Sequence, residues 1–202
     1  MRKTPHSSIL LFTILCISSN FALVLAQQPT KEIVLLEINK EHDKRTVIKT
    51  STIPNAGNGL FARVKINEGE VIGELGGQLV SDDNHPEGSF YIAAIPECAW
   101  EKTHPYKYID SKEHGANVSR INFAPSEING VKTGFQNAAI RQLCEAPYFI
   151  FVAAKDIEAG AEIWSSYGDD YDYDSFMKLP EVRDFFCGLL KIDCHEEFIY
   201  AN

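Results

Sequence analysis

Two short segments of the sequence combine residue types that can bind a small polar molecule and act on it. Arg120 and Asn122 end the first segment, and Tyr167 directly precedes Gly168 in the second. An arginine forms strong charge-assisted hydrogen bonds to carboxylates, and an asparagine side chain both donates and accepts. Each pattern also has a plain explanation. Residues 117–122 could be a polar loop whose Asn-Val-Ser start fits an N-glycosylation acceptor, and a tyrosine before a glycine is usually a packed aromatic.

A third segment, Ala56-Gly57-Asn58-Gly59-Leu60, places two glycines around an asparagine. Glycine lacks a Cβ atom, so its backbone can approach a ligand closely. Asn58-Gly59 between strand-like sequences is also typical of a hairpin turn, which requires no ligand. The residues alone therefore leave a binding segment and an ordinary turn as alternatives.

In this order and at these spacings, the segments resemble the working parts of a SET domain, the fold of protein-lysine methyltransferases. Arg120 and Asn122 are in register with the family's N-x-x-R-[FI]-I-N-H sequence. The residues in register with its G-E-E-L-T-x-x-Y-G sequence are Glu162, Ile163, Tyr167 and Gly168. The resemblance covers about Ile48 to Tyr173 and implies that the cofactor is S-adenosylmethionine.

The resemblance also implies a role for each matching residue. Tyr167 would be the catalytic residue, with its hydroxyl near the transferring methyl group, where it helps to align sulfur, methyl and amine. Arg120 would pair with the carboxylate of the cofactor, and Asn122 would hydrogen-bond to the cofactor. The residues expected to bind the cofactor are Ala56, Asn58, Gly59, Leu60, Arg120, Asn122, Phe123 and Tyr167.

Three positions depart from the family pattern. Phe123 replaces the usual histidine, so recognition there would rely on the main chain. Leu75 replaces a tyrosine, and Ser165 replaces an aromatic residue that tunes the number of methyl groups added, which suggests a roomier channel.

Asn137 is the best match to the asparagine that ties the family's threaded loop together. Aromatic walls could come instead from Trp164, Tyr171, Tyr173 and Phe176.

The elements that must hold these residues are mostly strands. Short apolar and β-branched runs separated by turn residues predict strands at 33–38, 46–49, 60–64, 71–75, 78–80, 90–95, 106–109, 138–143 and 148–154. The last two are predicted to pair, and 175–190 has apolar residues at helical spacing. The fold class is therefore mostly β (α+β). Within this class, the resemblance implies a SET-type fold of small sheets with a threaded loop and a C-terminal helix. The lack of βαβ units argues against a Rossmann-type methyltransferase.

The predicted organisation has four parts. Residues 1–26 have a positive start, an apolar run and small residues at the end, which is typical of a secretory signal peptide cleaved after Ala26. An uncleaved membrane anchor is the alternative, although the apolar run is short and interrupted. An N-terminal strand segment at 27–47, the SET domain at 48–173 and a C-terminal helical segment at 174–202 follow. The protein is therefore expected to be secreted or exported, with no stable membrane anchor after cleavage.

The composition narrows the possible partners. The chain has 19 basic and 28 acidic residues, a net charge of −9, and removing Arg2 and Lys3 with the signal leaves 17 against 28, or −11. Because nucleic-acid binding relies on clustered lysine and arginine, direct nucleic-acid binding is not expected. The acidity favours a basic lysine-containing protein or peptide as substrate, or it serves only solubility. The oligomeric state stays open.

Four cysteines remain after the predicted cleavage, namely Cys98, Cys144, Cys187 and Cys194. In an exported protein they permit two disulfides with three possible connectivities, and Cys187 with Cys194 is the favoured pair because the two are close in sequence. A zinc site would need ligands at closer spacing, so no metal is expected.

The resemblance implies a protein-lysine N-methyltransferase that transfers a methyl group from S-adenosylmethionine to a protein substrate, of which a histone-like protein is one candidate. Because the cofactor is made inside cells, an effector that acts in a host cell would reconcile export with this activity. Two alternatives stay open. One is a non-catalytic SET-fold module that binds peptides or proteins by strand addition, and the other is a disulfide-bonded structural protein.

Overall fold

The computed structural model describes residues 33–84, 89–168, 171–194 and 198–201, so the predicted signal peptide at 1–26 lies outside the described residues. The strands in these ranges, numbered in chain order, are β1 (Thr46–Thr50), β2 (Asn58–Ala62), β3 (Val71–Glu74), β4 (Gln78–Ser81), β5 (Ile92–Ala94), β6 (Tyr106–Asp110), β7 (Asn122–Phe123), β8 (Glu127–Ile128), β9 (Val131–Lys132), β10 (Ala138–Gln142), β11 (Phe149–Ala153), β12 (Glu162–Ser165) and β13 (Tyr200–Ala201). The α-helices are α1 (Trp100–Thr103), α2 (Asp174–Met177) and α3 (Pro180–Leu190), and short 3₁₀ helices span Lys40–Arg45, Asp82–Asn84, Glu97–Ala99 and Asn117–Arg120. Within the described ranges, no helix is both long and apolar enough to cross a membrane.

A four-stranded sheet in the order β1-β2-β12-β7 brings the three motif segments together. β1 and β2 pair antiparallel, and β12 also pairs antiparallel with β2, with Ile163 opposite Leu60. β7 then runs parallel to β12, with Trp164 opposite Asn122. Leu60 and Ile163 are fully buried, so they anchor the sheet in the core. The segment that leads to Tyr167 is therefore held directly beside the segment that contains Asn122.

Two further antiparallel sheets contribute to the same hydrophobic core. Their strand orders are β10-β11-β3 and β4-β6-β5, and β10 pairs with β11 as predicted from the sequence. Ile72, Ile109 and Phe151 of these sheets pack with the buried residues of β2 and β12 in a single cluster, which we call the first core. A disulfide between Cys98 and Cys144 joins the 3₁₀ helix before α1 to the connection between β10 and β11. The core therefore combines side chains from three separate sheets.

A second hydrophobic cluster is formed by the C-terminal helices and the residues around them. Helix α3 begins at Pro180, whose fixed φ suits the first helical position. A disulfide between Cys187 and Cys194, the pair favoured by the sequence, fastens this helix to the chain that follows it. Phe123 and Tyr173 belong to the same cluster. The C-terminal helices therefore pack against the strand that follows the Arg120 segment.

Residues 33–38 do not form the strand that the sequence predicted. Leu35 makes an isolated bridge to Gln78, and the Leu36 N–H donates to the carbonyl of Gly77. Ile33 and Leu35 are about half exposed. This segment therefore runs along β4 with too few ladder hydrogen bonds to count as a strand.

The predicted C-terminal helix at 175–190 is divided in two. Helix α2 ends at Met177, and Leu179 has an extended backbone with ψ of 129° before α3 begins. The reason is Pro180, because the ring of a proline disfavours the helical conformation of the residue before it.

The hairpin interpretation placed a turn at Asn58-Gly59, but the structure places the turn between β1 and β2 earlier in the chain. Both residues belong to β2 and pair with β1. The chain instead reverses over 51–57, where Asn55 and Gly57 have positive φ values of 62° and 69°. Glycine reaches this left-handed region freely, and asparagine reaches it more easily than most residues. The hairpin is present, but its turn lies earlier than predicted.

Candidate active site

A cavity of about 580 Å³ lies where the three motif segments meet. Volumes of about 300–1,000 Å³ are typical of sites for small molecules. The predicted cofactor residues that line it are Ala56, Asn58, Arg120, Asn122, Phe123 and Tyr167. Gly59 and Leu60 are not part of its lining, because Gly59 is buried and Leu60 packs into the first core. The structure therefore brings most of the predicted site residues together and places these two away from the cavity surface.

A buried carboxylate fixes the segment around Asn58. Glu162 is 7% exposed, and it accepts hydrogen bonds from the Ser51 hydroxyl at 2.6 Å and from the main-chain N–H of Thr52 at 2.7 Å. The amide of Asn122 donates to the same carboxylate at 3.3 Å and to the carbonyl of Asn58 at 3.1 Å. A buried carboxylate is tolerated only when its oxygens are paired, and these hydrogen bonds provide the partners. They also join β12, β7 and the turn before β2 into one unit.

Arg120 is held at the cavity by two contacts, neither of which is with a carboxylate. Its guanidinium lies over the ring of Tyr91, 4.6 Å from the ring centroid, and donates to the main-chain carbonyl of Lys112 at 2.9 Å. Among the described residues, Arg120 forms no salt bridge with a carboxylate. The guanidinium is therefore oriented in advance while its charge stays available to an anionic ligand.

Asn117, the asparagine of the N-glycosylation pattern, is engaged inside the protein. Its side-chain amide donates to the carbonyl of Asp43 at 3.2 Å and to the hydroxyl of Thr46 at 3.1 Å. These bonds hold the 3₁₀ helix that carries Arg120 against the start of β1. The side-chain nitrogen of Asn117, which glycosylation would modify, is therefore already engaged in two internal hydrogen bonds.

Asn137 ties the chain before β10 to β12. Its side-chain amide donates to the carbonyl of Glu162 at 2.9 Å, and its side-chain oxygen accepts from the N–H of Trp164 at 2.8 Å. Its own N–H donates to the carbonyl of Trp164 at 3.0 Å. The tying role expected of this asparagine is confirmed by these three bonds.

Tyr167 lines the cavity with its hydroxyl turned inward. The side chain is 37% exposed, but the hydroxyl donates to the carbonyl of Ile121 at 2.6 Å. The main-chain N–H of Tyr167 donates to the hydroxyl of Tyr173 at 2.8 Å. Burial of the hydroxyl is the main reason that the pKa of Tyr167 is raised above its ordinary value, and the phenols of Tyr171, Tyr173 and Tyr91 raise it further. The hydroxyl therefore stays protonated at neutral pH.

Residues 57–168, more than half of the 202 residues, match the protein-family model of the SET domain. The chain belongs to the SET-domain family. It is 26% identical to the N-lysine methyltransferase KMT5A-A of Xenopus laevis over 140 residues. The aligned region covers 67% of this chain and 39% of that protein. It is also similar to a chain of an active polycomb repressive complex 2 in the stimulated state, with a TM-score of 0.50 and 27% identity over 68% of this chain and 16% of that chain. The methyltransferase domain of human PR domain-containing protein 2 is similar with a TM-score of 0.48 and 17% identity, over 71% of this chain and 97% of that domain.

The SET fold expected from the sequence is confirmed, and the relation to lysine methyltransferases is confirmed at the level of the family. SET methyltransferases use S-adenosylmethionine. This chain spans about two fifths of the length of the frog relative and about one sixth of the polycomb chain. The matched region lies inside the predicted domain at 48–173, whose boundaries stay predictions.

The departures from the SET pattern lie in two kinds of place. Leu75 and Phe123 line the cavity itself, and the ring centroid of Phe123 lies 4.1 Å from that of Tyr173. Ser165 is buried outside the cavity lining, and its Oγ has no hydrogen-bond partner among the described residues. The effect of Ser165 on the width of the channel stays a prediction.

The aromatic residues suggested as walls divide in the same way. Tyr171, Tyr173 and Phe176 line the cavity, whereas Trp164 packs edge-on against Phe186 in the second cluster. Tyr91 was missed, because no sequence pattern pointed to a tyrosine near the start of β5 as the support of an arginine nearly thirty residues later. The only available signal was its place in an aromatic pair with Phe90.

The free energy of unfolding is expected to fall as the pH rises above about 10. Burial raises the pKa of Tyr167, Tyr171 and Tyr200, and a hydrogen bond to Asp82 raises the pKa of Tyr108. In the unfolded chain these phenols lose their protons near pH 10, whereas the folded protein keeps them. The folded state then binds more protons, so stability decreases with pH. Urea unfolding followed by circular dichroism between about pH 8 and 11 measures this slope, and constant stability over that range would contradict it.

Proposed function

We propose that the protein is a protein-lysine N-methyltransferase that transfers a methyl group from S-adenosylmethionine to a lysine of a protein substrate. One observation carries the proposal. The hydroxyl of Tyr167 is fixed on the carbonyl of Ile121 beside a cavity that Arg120 and Asn122 also line. The similarity to an N-lysine methyltransferase supports the same reaction.

The residues of the cavity fit the cofactor. Arg120, which has no carboxylate partner among the described residues, would hold the carboxylate of S-adenosylmethionine. Asn122 would hydrogen-bond to it, and Phe123 and Phe176 offer aromatic surface for its adenine. When bound, the cofactor supplies a methyl group on a positively charged sulfur, so that an amine with a free lone pair displaces a neutral thioether.

A further part of the cavity suits a lysine side chain. Leu75, Ile140 and Phe151 line it with apolar surface. Such surroundings lower the pKa of an ammonium group, so a lysine that binds there gives up its proton more readily. The raised pKa of Tyr167 keeps its hydroxyl neutral, and this hydroxyl orients the amine toward the methyl group.

The proposed substrate is a basic protein, of which a histone-like protein is one example. The chain carries 28 acidic residues against 19 basic ones, and opposite charges speed the encounter of two proteins. Asp172 and Asp174 alternate with the tyrosines that border the cavity. No metal is part of the proposal, and the described residues include no group of three His, Cys, Asp or Glu that could hold one.

The proposal includes export, with a signal peptide at 1–26 that is removed. The two disulfides support it, because disulfides persist in oxidising compartments and are rare in the cytosol. An effector delivered into a host cell would reach both S-adenosylmethionine and basic proteins. N-terminal sequencing of the protein recovered from the culture medium tests this part, and recovery only from the cytosol would contradict it.

A non-catalytic binding module is the second candidate function. Leu75 and Phe123 replace a tyrosine and a histidine of the family pattern and line the cavity itself, which favours an eroded site. β5 lies at the edge of its sheet beside this cavity, where an extended peptide could add as a strand. Such a module would not need S-adenosylmethionine, so cofactor binding separates the two functions.

Calorimetric titration of the mature protein with S-adenosylmethionine is the deciding experiment. We expect the wild type to bind and Arg120→Ala to bind about 10–100-fold more weakly, because a charge-assisted contact to the carboxylate is lost. Arg141→Ala is the matched control, since Arg141 is exposed on β10 and lies outside the cavity lining. No binding at millimolar cofactor by folded wild type would overturn the methyltransferase function and favour the binding module.

A further inference from the structure

Tyr173 lies beyond the region that matches the SET-domain model, yet its hydroxyl holds the segment of the catalytic tyrosine. It is 5% exposed and lines the cavity together with Tyr167. The hydroxyl accepts a hydrogen bond from the main-chain N–H of Tyr167 at 2.8 Å and donates one to the carbonyl of Gly168 at 2.7 Å. A single side chain therefore fixes the main chain on both sides of the Tyr167 side chain.

The ring of Tyr173 makes a separate contact. Its centroid lies 4.1 Å from that of Phe123, whereas the centroids of Phe123 and Tyr167 are 6.3 Å apart. Phe123 lines the cavity and directly follows Asn122. Both Phe123 and Tyr173 belong to the second hydrophobic cluster with Met177 of α2. The ring of Tyr173 therefore connects the C-terminal helices to one wall of the cavity.

We propose that Tyr173 is a positioning residue with two separable effects, an inference that rests on the proposed methyltransferase function. Its hydroxyl sets the main chain of Tyr167 and so the place of the phenol that is bonded to Ile121. Its ring supports Phe123 as a wall of the cofactor-binding part of the cavity. Tyr173 acts in both cases through another residue.

The hydroxyl is the part of Tyr173 that plain packing does not explain. A side chain needed only to fill the cluster could be phenylalanine, because the hydrogen bonds to Tyr167 and Gly168 are made by the hydroxyl alone. Tyr173→Phe removes both bonds and leaves the ring contact with Phe123. Misplacing a catalytic group by about 1 Å can lower a rate by about 10²-fold, so the loss of these bonds is expected to affect the rate more than cofactor binding.

Two variants and a control separate the effects. Tyr173→Phe removes the hydroxyl, Tyr173→Leu removes the hydroxyl and the ring, and Tyr106→Phe removes a hydroxyl beside the first core. kcat is measured with mixed core histones as methyl acceptors, and the Kd for S-adenosylmethionine is measured by calorimetry. We expect Tyr173→Phe to lower kcat about 10–100-fold with a Kd within about twofold of the wild type, and Tyr173→Leu also to raise the Kd at least about tenfold. The control should match the wild type in both.

Hydrogen exchange at the Tyr167 amide gives a readout that does not depend on turnover. We expect faster exchange in Tyr173→Phe and unchanged exchange in Tyr106→Phe, because only the first variant removes the acceptor of this N–H. If Tyr173→Leu does not fold, Tyr173→Phe still decides the matter.

Two outcomes would overturn the inference alone, namely wild-type kcat in Tyr173→Phe and an equal loss of kcat and cofactor affinity in that variant. A folded wild type that binds no S-adenosylmethionine would instead overturn the proposed function, and the positioning role with it. The two failures are therefore distinguishable.

Discussion

Replacing Tyr167 with phenylalanine is expected to lower kcat for methyl transfer by about 10²-fold or more, with the affinity for S-adenosylmethionine within about twofold of the wild type. The hydroxyl is held on the Ile121 carbonyl at 2.6 Å, so its position is fixed before a ligand binds. Phenylalanine keeps the ring contacts with Phe123 and Tyr171 and removes only the hydroxyl. A loss of rate without a loss of affinity is typical of a group that acts in the transition state.

Steady-state kinetics with core histones and calorimetry with S-adenosylmethionine measure these two quantities separately. Tyr106→Phe serves again as the control, because it removes a hydroxyl that does not line the cavity. A Tyr167→Phe protein with wild-type kcat would contradict the catalytic assignment. A variant that loses affinity in proportion to rate would place the hydroxyl in cofactor binding instead.

Replacing Gly59 with alanine is expected to lower the free energy of unfolding by about 2–4 kcal/mol and to weaken cofactor binding at least about tenfold. A Cβ at this position would lie 2.1 Å from Oε1 of Glu162 and 3.2 Å from the side-chain nitrogen of Asn122. Glu162 cannot move away without giving up its hydrogen bonds to Ser51 and Thr52. Because Gly59 has no Cβ, the buried carboxylate of Glu162 has room beside it. This carboxylate accepts a hydrogen bond from Asn122 and so holds Asn122 at the cavity.

Gly188→Ala is the matched control for this prediction. A Cβ at Gly188, within α3, would meet no heavy atom within 4 Å, so the change is expected to leave stability unchanged or to raise it by about 0.5–1 kcal/mol. Urea unfolding of both variants without reductant gives the comparison. If Gly59→Ala were as stable as the wild type, Glu162 would have a second arrangement of equal energy, and the role assigned to it would be wrong.

Local patterns were sufficient for much of the fold. The strands β3, β6, β10 and β11 were predicted close to their observed bounds. Each is a short apolar and β-branched run between turn residues, so the signal for the strand lies entirely within its own segment of the sequence. The break before α3 was missed, although Pro180 carried the signal for it. The turn before β2 was misplaced because Asn55 and Gly57 make the reversal, and the Asn-Gly pair that follows them belongs to the strand.

The site could be predicted only where the motif itself holds the residue. The motifs pointed to Arg120, Asn122 and Tyr167, and all three line one cavity. The partners of Glu162 could not be found, since Thr52 is 110 residues away in the chain and no local pattern links the two. Long-range contacts of this kind, like the parallel pairing of β7 with β12, arise from packing and leave no periodicity in the sequence.

The disulfide between Cys187 and Cys194 has a practical consequence for anyone who prepares this protein. It lies in the same hydrophobic cluster as Phe123 and Tyr173, two residues that line the cavity. In protein made in a bacterial cytosol and stored with dithiothreitol, this disulfide would be reduced, and the cluster would lack its covalent link during the titration. If such a sample showed no binding of S-adenosylmethionine, the reduced disulfide would be a sufficient explanation. Only a negative result from protein folded under oxidising conditions would count against cofactor binding.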